Sequence, residues 1–526
     1  MDAVAAGPPL DTVEDLLAGP GVGDLLRRAA RRFPDRPAIR SGTVELGYAE
    51  LDRLADRCAA ALARSLGTHG KVLALTLTLD HWFAVAFFGA IRSGNIPALV
   101  NPLLREEALA NLVRACGAEA AIVAPGVRDR LPTLATIVTT DELGELIDGA
   151  EGPPPHLVPA PGDVACLQFT SGTTGAPKTV QLTHRNVTVN AAQTARAHRV
   201  TGDSVVFDNL PTFHLMHLTV ATAAGARLVL WPGGDPAEAM AAAARHGATH
   251  FYSLPVRLGR LASDPRLPDL SVPTLTAVLS GGSPLPALTA ETLGARFGVP
   301  VAQGYGLQET SPSTHFDDLD APRPGSCGHP LAGTECRVVR LDDGQVAPAG
   351  ALGEIQVRGP QVMKGYLGAD EGAHLTADGW FATGDVGHLA QDGRLTLVDR
   401  IKDVFKHDNW LVAPSEIERV LRRHPDVADC LVVDYPDDLS GAVPYGLVVP
   451  EGEDPDPAEL AAYVAARLPY YQHLHHLRFV ADIPRSATGK PQRRELRDQA
   501  RSRPSPVPPS PPSPSDAPGA ANAGSR

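Results

Sequence analysis

The chain has 526 residues, of which 43% are hydrophobic, so it can bury a sizeable core and form two or three domains. Its formal net charge of −13 argues against binding to nucleic acid or to an anionic membrane surface. No apolar segment reaches the ~20 residues of a membrane span, and no signal-peptide pattern opens the sequence. The six cysteines never occur as Cys-x-x-Cys, which is typical of reduced thiols. We therefore expect a cytoplasmic protein without a membrane span.

Residues 1–20 are rich in Pro, Gly and Asp, and this composition predicts a flexible leader. From residue 21, short apolar runs alternate with helical patterns. The run 72–77 predicts a strand, residues 82–93 a helix and residues 96–100 the next strand, and the alternation recurs as far as residue 301. Such alternation is typical of a mostly parallel sheet with crossover helices.

The pattern changes after about residue 325, where shorter strands separated by Asp-Gly turns predict a small β-rich subdomain. We predict an α/β fold whose large N-terminal domain covers residues 21–399, with mostly parallel sheets and this subdomain. A small α+β C-terminal domain follows over residues 400–500. Residues 501–526 are a Pro/Ser-rich tail that cannot bury a core, so we expect disorder there.

A loop rich in hydroxyl groups and glycines follows the buried strand that ends at Phe169. It reads Phe169-Thr-Ser-Gly-Thr-Thr-Gly-Ala-Pro-Lys178, and backbone N–H groups together with a lysine are suited to phosphate. A P-loop requires glycine where Pro177 stands. Because proline has no N–H to donate, a kinase or P-loop ATPase is disfavoured.

Three further segments narrow the chemistry. Gln303-Gly-Tyr-Gly-Leu-Gln-Glu309 follows a strand end and pairs an aromatic ring suited to a purine with a carboxylate suited to Mg²⁺. Gly379-Trp-Phe-Ala-Thr-Gly-Asp385 presents an aspartate suited to two ribose hydroxyls. Pro484-Arg-Ser-Ala-Thr-Gly-Lys490 places a lysine on a glycine loop.

Together these motifs resemble the adenylate-forming superfamily of acyl-CoA synthetases, peptide-synthetase adenylation domains and luciferases, over about residues 20–497. The resemblance implies that ATP and a carboxylic acid form an acyl-adenylate and pyrophosphate. The acyl group then passes to a thiol, either coenzyme A or the pantetheine of a carrier protein. Positive charge and Mg²⁺ are needed because the enzyme brings two anions together.

The resemblance also implies residue roles. The β- and γ-phosphates would be held by Thr170, Ser171, Gly172, Thr173, Thr174, Gly175 and Lys178. Tyr305 would stack on adenine, and Gly281 and Gly282 would line the adenine pocket. Other residues expected to bind the cofactor are Ser283, Gln303, Gly304, Gly306 and Gln308, of which Gln308 stands where the family reaches the α-phosphate. Mg²⁺ would be held by Glu309 with Thr170, and the ribose by Asp385 and Arg400. Lys490 would stabilise the transition state of adenylation. Lys402 would be the hinge of a mobile C-terminal domain, whose rotation exchanges Lys490 for the face that carries Lys406.

Three positions depart from the family pattern. Thr179 stands where glycine usually follows the loop lysine. Gln308 replaces a smaller residue before the Mg²⁺ glutamate, although it can still donate a hydrogen bond. Near the expected thiol path the chain has His407-Asp-Asn-Trp410 instead of a glycine-containing segment, which leaves the identity of the thiol open.

Pro211-Thr-Phe-His214 matches the segment whose helix walls the acyl pocket in this family. Amino-acid-activating members carry Asp after that phenylalanine, so His214 argues against an α-amino acid. The acid is expected to contact His214, Met216, His217, Gly281 and Gly304. It is either an aryl acid or a medium-chain aliphatic acid, and the sequence does not favour one over the other. The expected catalytic residues are Thr170, Lys178, His214, Glu309 and Lys490. Ordinary core packing is an equal alternative for Met216. A metal at His214 and His217 is disfavoured for want of a third ligand.

Coenzyme A is the expected acceptor, because no insertion near the domain junction indicates a carrier-loading ligase. Direct loading of a carrier protein is the alternative. A non-catalytic nucleotide- or acyl-binding relative is a third hypothesis, weakened because the charged residues of the expected site are all present.

Overall fold

The computed structural model describes residues 3–17, 19–66, 70–150, 153–170, 178–210, 214–370, 372–408, 410–437, 439–485 and 491–502. The chain divides into two compact units. The first comprises the residues up to 383 together with 387–397, and the second comprises 384–386 and the residues from 398 onward.

The strands of the described residues follow one another along the chain. They are β1 (Val4–Ala6), β2 (Pro37–Ser41), β3 (Val44–Gly47), β4 (Val72–Thr76), β5 (Ile96–Leu99), β6 (Ala120–Val123), β7 (Thr136–Thr139), β8 (Val164–Thr170), β9 (Lys178–Thr183), β10 (Val205–Asn209), β11 (Arg227–Leu230), β12 (His250–Ser253), β13 (Ala277–Ser280), β14 (Val301–Gly306), β15 (Ser313–Phe316), β16 (His329–Pro330), β17 (Glu335–Val339), β18 (Gly353–Arg358), β19 (Gly365–Tyr366), β20 (Phe381–Leu389), β21 (Leu395–Arg400), β22 (Phe405–His407), β23 (Trp410–Val412), β24 (Val427–Asp437), β25 (Gly441–Pro450) and β26 (His476–Phe479).

The helices connect these strands. They are α1 (Gly23–Arg32), α2 (Tyr48–Leu66), α3 (His81–Arg92), α4 (Glu106–Ala115), α5 (Thr140–Asp148), α6 (His184–Ala197), α7 (Leu215–Ala224), α8 (Pro236–Arg245), α9 (Pro255–Ala262), α10 (Ala287–Phe297), α11 (Pro414–Leu421), α12 (Pro457–Ala465) and α13 (Arg493–Ser502). Short 3₁₀ helices cover Leu10–Leu16, Pro125–Arg130, Leu267–Asp269, Gln308–Thr310 and Tyr470–Gln472.

Two large sheets dominate the described part of the first unit. The first has the order β16-β15-β14-β13-β12-β10-β11-β2-β3 and is parallel from β14 to β2. The second has the order β19-β9-β8-β5-β4-β6-β7 and is parallel from β8 to β7. Nearly every residue of α3 is buried, and its apolar side chains form part of the hydrophobic core together with those of the strands. The predicted α/β fold with mostly parallel sheets is confirmed.

A third sheet of the order β1-β17-β18-β20-β21 corresponds to the predicted β-rich subdomain. Its edge strand β1 lies in the stretch predicted as a flexible leader. Val4–Ala6 pairs with β17, and Val13 of the following 3₁₀ helix is fully buried. The expectation of a flexible leader is therefore wrong for these residues, because backbone pairing and one apolar side chain outweigh a turn-forming composition.

The second unit is built on β24 and β25, which pair antiparallel over ten register positions. β22 and β26 also pair with β25, and α11 and α12 pack on the sheet through Ile417, Leu421 and Leu460. The Pro/Ser-rich tail lies outside the described residues, so its disorder stays a prediction. Within the described part, all six cysteines are buried and free, and no helix is long and apolar enough to cross a membrane. A cytoplasmic location stays a prediction.

Candidate active site

Strands β8 and β9 bring together the two ends of the predicted phosphate loop. They pair antiparallel, with Thr170 opposite Lys178 and Phe169 opposite Thr179. Thr179 is buried, and its carbonyl oxygen accepts a hydrogen bond from the Leu367 amide at 2.8 Å. A β-branched residue suits this position because it belongs to a strand and not to the turn. Five loop residues expected to bind phosphate lie outside the described residues: Ser171, Gly172, Thr173, Thr174 and Gly175.

Tyr366 in β19 lies between two of the expected site residues. Its hydroxyl group donates a hydrogen bond to Oε1 of Glu309 at 2.9 Å, and Nζ of Lys178 lies 4.7 Å from the centre of its ring. Burial, together with the Glu309 carboxylate, raises the pKa of Tyr366, so the phenol keeps its proton at neutral pH. A cavity of about 280 Å³ lies against Lys178, Tyr366, Asp370 and His374. Tyr366 thus connects the loop lysine to the carboxylate.

Glu309 lies in the 3₁₀ helix that follows β14. Its side chain is buried, and its carbonyl oxygen accepts a hydrogen bond from the Met363 amide at 2.8 Å. Mg²⁺ in nucleotide sites is commonly held by one or two carboxylates plus substrate phosphates. Among the described residues, no group of three or more His, Cys, Asp or Glu side chains could hold a metal ion. The donor set therefore fits an ion that arrives with a nucleotide rather than one held by the protein alone.

Glycines follow the carboxyl ends of β13 and β14, where parallel sheets bind ligands. Gly281 and Gly282 come directly after β13, and Gly282 has a φ of +87°, which disfavours any side chain. A Cβ atom at Gly306 would lie 2.1 Å from the carbonyl oxygen of Pro312. Ser283 is exposed beside these glycines. The backbone is thus open at Gly281 and Gly282, in the place predicted for adenine, whereas Gly306 is needed for its close packing on Pro312.

The polar residues of β14 and of the 3₁₀ helix that follows it have distinct surroundings. The side chain of Gln303 accepts a hydrogen bond from the Leu285 amide and donates one to the Ser326 carbonyl, each at 2.8 Å. The side-chain amide of Gln303 therefore shapes the edge, and the structure does not support it as a direct ligand. Oε1 of Gln308 is buried and has no hydrogen-bond partner among the residues described, which leaves it for a ligand. Tyr305 is buried within the strand.

Helix α7 begins at the residues expected to wall the acyl pocket, whereas residues 211–213 lie outside the described part. Nδ1 of His214 accepts a hydrogen bond from the Met216 amide at 3.4 Å and so caps the helix. Burial lowers the pKa of His214 to about 4, so its ring is uncharged at neutral pH. Met216 Sδ accepts a hydrogen bond from Ser313 Oγ at 3.3 Å, and the His217 ring lies 5.8 Å from the His214 ring. This wall is uncharged, which favours an acid with a neutral acyl part.

The second unit carries the residues expected to bind ribose and to turn the C-terminal domain. Nε of Arg400 lies 2.8 Å from Oδ1 of Asp385, which is almost fully buried, so the structure brings this expected pair together. Lys402 is exposed in a turn, and Lys406 is exposed in β22. Trp410 is exposed and stacks on Tyr471, with ring centres 5.2 Å apart. Lys490 lies outside the described residues.

Sequence reasoning missed Tyr366, because the short strand Gly365–Tyr366 carries no recognisable chemical pattern in the sequence. It also missed Asp208, which is fully buried in β10. An acidic residue inside the apolar run Val205-Val-Phe-Asp208 was the available signal, because aspartate is rare in strand interiors.

Two family models match the chain. The model of the AMP-binding enzyme covers residues 26–367, and that of the AMP-binding enzyme C-terminal domain covers residues 416–490. The chain belongs to the AMP-binding enzyme family. The match of the first model alone extends over more than half of the chain, and both lie in the order expected from the sequence.

Relatives of known activity resemble this AMP-binding enzyme over most of its length. It is 33% identical over 516 residues to 4-coumarate–CoA ligase 2 of Oryza sativa subsp. japonica, which covers 89% of this chain and 90% of the relative. The structure of ATP-bound MatB from Rhodopseudomonas palustris is 26% identical, with a TM-score of 0.83, and covers 91% of this chain and 99% of that one.

A third relative is o-succinylbenzoate CoA synthetase from Bacillus subtilis in complex with its acyl-adenylate intermediate. It is 27% identical, with a TM-score of 0.80, and covers 90% of this chain and 98% of that one. This AMP-binding enzyme is an acyl-CoA synthetase, an AMP-forming acid–CoA ligase that uses ATP and coenzyme A. The expectation from the sequence is confirmed, and the hypothesis of a non-catalytic relative is set aside.

Proposed function

We propose that this AMP-binding enzyme activates an aromatic carboxylic acid and passes the aromatic acyl group to coenzyme A. The assignment of the adenylation site rests on the contact of Tyr366 with both Lys178 and Glu309. The aromatic acid is supported by the neutral wall at His214 and Met216, and by relatives named for 4-coumarate and o-succinylbenzoate.

Lys178, Tyr366 and Thr170 would have different roles in adenylation. Lys178 supplies positive charge at the base of the phosphate loop, which favours the polyphosphate and the pyrophosphate that leaves. The Tyr366 hydroxyl group keeps one oxygen of Glu309 in a hydrogen bond, so that the carboxylate is held in one orientation. Thr170 lies opposite Lys178 and would add its hydroxyl group to the same site.

The residues present fit Mg²⁺ bound together with ATP, and Glu309 and Thr170 would hold it. When bound, the ion neutralises phosphate charge. The open edge at Gly281 and Gly282 would take the adenine, and Gln308 would offer its buried Oε1 to the nucleotide as a hydrogen-bond acceptor. The Asp385–Arg400 pair would bind the ribose hydroxyls.

Lys490 and Lys406 are assigned to the two half-reactions by their positions in the family motifs. We propose that Lys490 stabilises the developing charge during adenylation and that Lys406 belongs to the face used in thioester formation. Lys402 would be the hinge of a mobile C-terminal domain. Coenzyme A is the acceptor, and a carrier-protein pantetheine is the alternative thiol to be compared with it.

The experiment is a panel of aromatic and medium-chain aliphatic acids, with pyrophosphate release measured in the presence of ATP and Mg²⁺. We expect release with aromatic acids and at least about tenfold lower kcat/KM with the aliphatic acids. Mass spectrometry of the acylated product then compares coenzyme A with a pantetheine-loaded carrier protein. Equal or higher activity with aliphatic acids would contradict the assignment of an aromatic substrate but would not contradict the adenylation activity.

A further inference from the structure

A cleft of about 500 Å³ opens at the amino edge of the nine-stranded sheet, which is the edge opposite the candidate active site. The floor of the cleft is formed where strands begin. Ser204 precedes β10, and His250 and Ala277 are the first residues of β12 and β13. At about 3.3 Å per residue, about 13 Å of β13 separates this edge from Gly281 at the other. The volume of the cleft lies in the range of ligand sites in proteins.

Arg199 lies at the mouth of this cleft, which we call the amino-edge cleft, in an uncommon backbone conformation. It follows the end of α6 with a φ of +57°, in the left-handed region where helices usually place glycine. Its exposed guanidinium donates two hydrogen bonds to the carboxylate of Asp320, one of them at 2.8 Å. The gain from an exposed ion pair is small and does not exceed the cost of a side chain in this region. Fold stability therefore does not account for Arg199, whereas strained residues often hold ligands.

The charges at the rim of the amino-edge cleft are paired within the protein. The hydrogen bonds from Arg199 lower the pKa of Asp320, so this carboxyl group is ionised at neutral pH. Asp318 lies 3.9 Å from the same guanidinium, and Asp203 lies 3.2 Å from Arg36. Among the described residues that line the cleft, Arg199 is the only one with a permanent positive charge, and carboxylates already neutralise it. An anion therefore finds no free cation here, and the carboxylates offered to a cation already have arginine partners.

His250 closes the floor of the cleft without adding a charge. Burial lowers the pKa of His250, so its ring is neutral at neutral pH. Nε2 lies 3.0 Å from the carbonyl oxygen of His198, to which it donates, and Nδ1 lies 2.8 Å from Oγ1 of Thr249. Both ring nitrogens thus have partners within the protein, so the histidine shapes the floor and leaves ligand contacts to its neighbours.

Two hydroxyl groups of the amino-edge cleft have hydrogen-bonding capacity left. The hydroxyl group of Thr276 donates to the carbonyl oxygen of Thr249 at 2.8 Å, which leaves its own oxygen free to accept. Oγ of Ser204 accepts from the Thr201 amide at 3.0 Å, and its proton has only a 3.5 Å contact with the Thr201 hydroxyl group. The lining therefore offers both an acceptor and a donor.

We propose that the amino-edge cleft binds a neutral polyhydroxy compound, of the class of monosaccharides and cyclitols, through adjacent hydroxyl groups. A guanidinium has five N–H donors, of which Asp320 takes two from Arg199, and the carboxylate keeps free lone pairs. Donors and acceptors thus stand side by side, so one hydroxyl group of the ligand accepts from the guanidinium while the next donates to the carboxylate. Ser204 and Thr276 bind further hydroxyl groups. No Phe, Tyr or Trp is among the described residues lining the cleft, so a nucleobase has no ring on which to stack.

The test measures direct binding of D-glucose, D-ribose and myo-inositol to the full-length enzyme. Saturation-transfer NMR detects binding and titration calorimetry gives Kd, with saturating ATP and no acid present, so that the nucleotide site is occupied. Cyclohexanol carries one hydroxyl group, 1,4-diaminobutane carries positive charge and inorganic phosphate carries negative charge. We expect saturable binding of at least one polyol, and at least about tenfold weaker binding of these three contrasting probes.

Arg199→Gly removes the guanidinium and introduces the residue that suits a left-handed backbone. We expect Kd for the polyol to rise at least about tenfold, whereas the midpoint of urea unfolding stays unchanged or increases. Thr276→Val removes one hydroxyl group at nearly constant volume, and Kd is expected to rise about threefold to tenfold. Thr274→Val is the matched control, because its hydroxyl group donates to a backbone carbonyl oxygen in the same way but does not line the cleft. Its Kd is expected to equal that of the wild type.

Four results would overturn the inference. The first is the absence of saturable binding for all three polyols, and the second is an unchanged Kd in both Arg199→Gly and Thr276→Val. The third is tighter binding of phosphate or of 1,4-diaminobutane than of any polyol, with a dependence on Arg199. The fourth is a clear loss of stability in Arg199→Gly, which would assign the arginine to the fold. Pyrophosphate release is not a readout of this test, so its outcome is independent of the proposed acid substrate.

Discussion

The hydroxyl group of Tyr366 lies 2.9 Å from Oε1 of Glu309, while the face of the same ring lies 4.7 Å from Nζ of Lys178. One side chain thus contacts both the cation expected to bind polyphosphate and the carboxylate expected to bind Mg²⁺. Because β19 pairs with β9, whose first residue is Lys178, these contacts are built into the sheet.

Replacing Tyr366 with Phe tests this arrangement, because the ring remains over Lys178 and only the hydrogen bond to Glu309 is removed. A hydrogen bond to a charged group contributes about 1.5–3 kcal/mol. We expect kcat/KM for ATP to fall about tenfold and the Mg²⁺ concentration for half-maximal pyrophosphate release to rise. Tyr463→Phe removes a hydroxyl group from the surface of α12 and is the control. An unchanged Mg²⁺ dependence would exclude a role of Tyr366 in orienting the carboxylate.

Asp385→Ala tests the ribose site of the second unit. The Asp385 carboxylate is nearly inaccessible and paired with Arg400, so alanine removes an oriented acceptor. We expect KM for ATP to rise at least about tenfold, with little change in KM for the acid. Asp378→Ala removes an exposed partner of Arg337 and is the matched control. Equal increases in both KM values would indicate a folding defect in place of a nucleotide contact.

Lys490→Ala tests the assignment of separate half-reactions. The lysine is expected to act only in adenylation, where removing one stabilising charge costs about 10²–10³-fold in kcat. Thioester formation from a pre-made acyl-adenylate should stay close to the wild-type rate. Lys71→Ala, which breaks a surface ion pair with Glu119, is the control for loss of a lysine. If both half-reactions slowed equally, the two-state assignment would be wrong.

Because several histidines are buried, we expect the protein to lose stability in mild acid. Burial lowers the pKa values of His198 and His315 to about 3, below the unfolded value of about 6.5. Between these values the unfolded chain binds more protons than the folded chain, so stability is complete above pH ~6.5 and falls as the pH drops toward 3. At pH 5, each of these two histidines therefore lowers the free energy of unfolding by about 2 kcal/mol.

The measurement is the free energy of unfolding from denaturant titrations between pH 5 and 8. His315→Gln removes one of these groups and should make the decline with falling pH shallower by about 1.4 kcal/mol per pH unit. His156→Gln changes an exposed histidine and should leave the slope as in the wild type. Parallel curves for wild type and His315→Gln would show that His315 does not stay neutral in the folded protein.

The sequence by itself determined the fold class and the family. Apolar runs alternating with helical patterns recur with the spacing of parallel sheets, and the motifs around Lys178, Glu309 and Asp385 are local, so both can be read without knowing which strands are neighbours. The same local reading failed at Val4–Ala6, where pairing of β1 with β17, more than 300 residues away in the chain, overrides composition.

Only the tertiary structure decided which side chains meet. Tyr366 contacts Glu309 across 57 residues of sequence, and Gln303 binds backbone groups of Leu285 and Ser326 where its motif suggested a ligand. The proximity of Asp208 to His217 likewise depends on how α7 packs on β10. Such contacts arise from the order of strands in a sheet and the packing of helices on it, and neither is encoded in the spacing of residues along the chain.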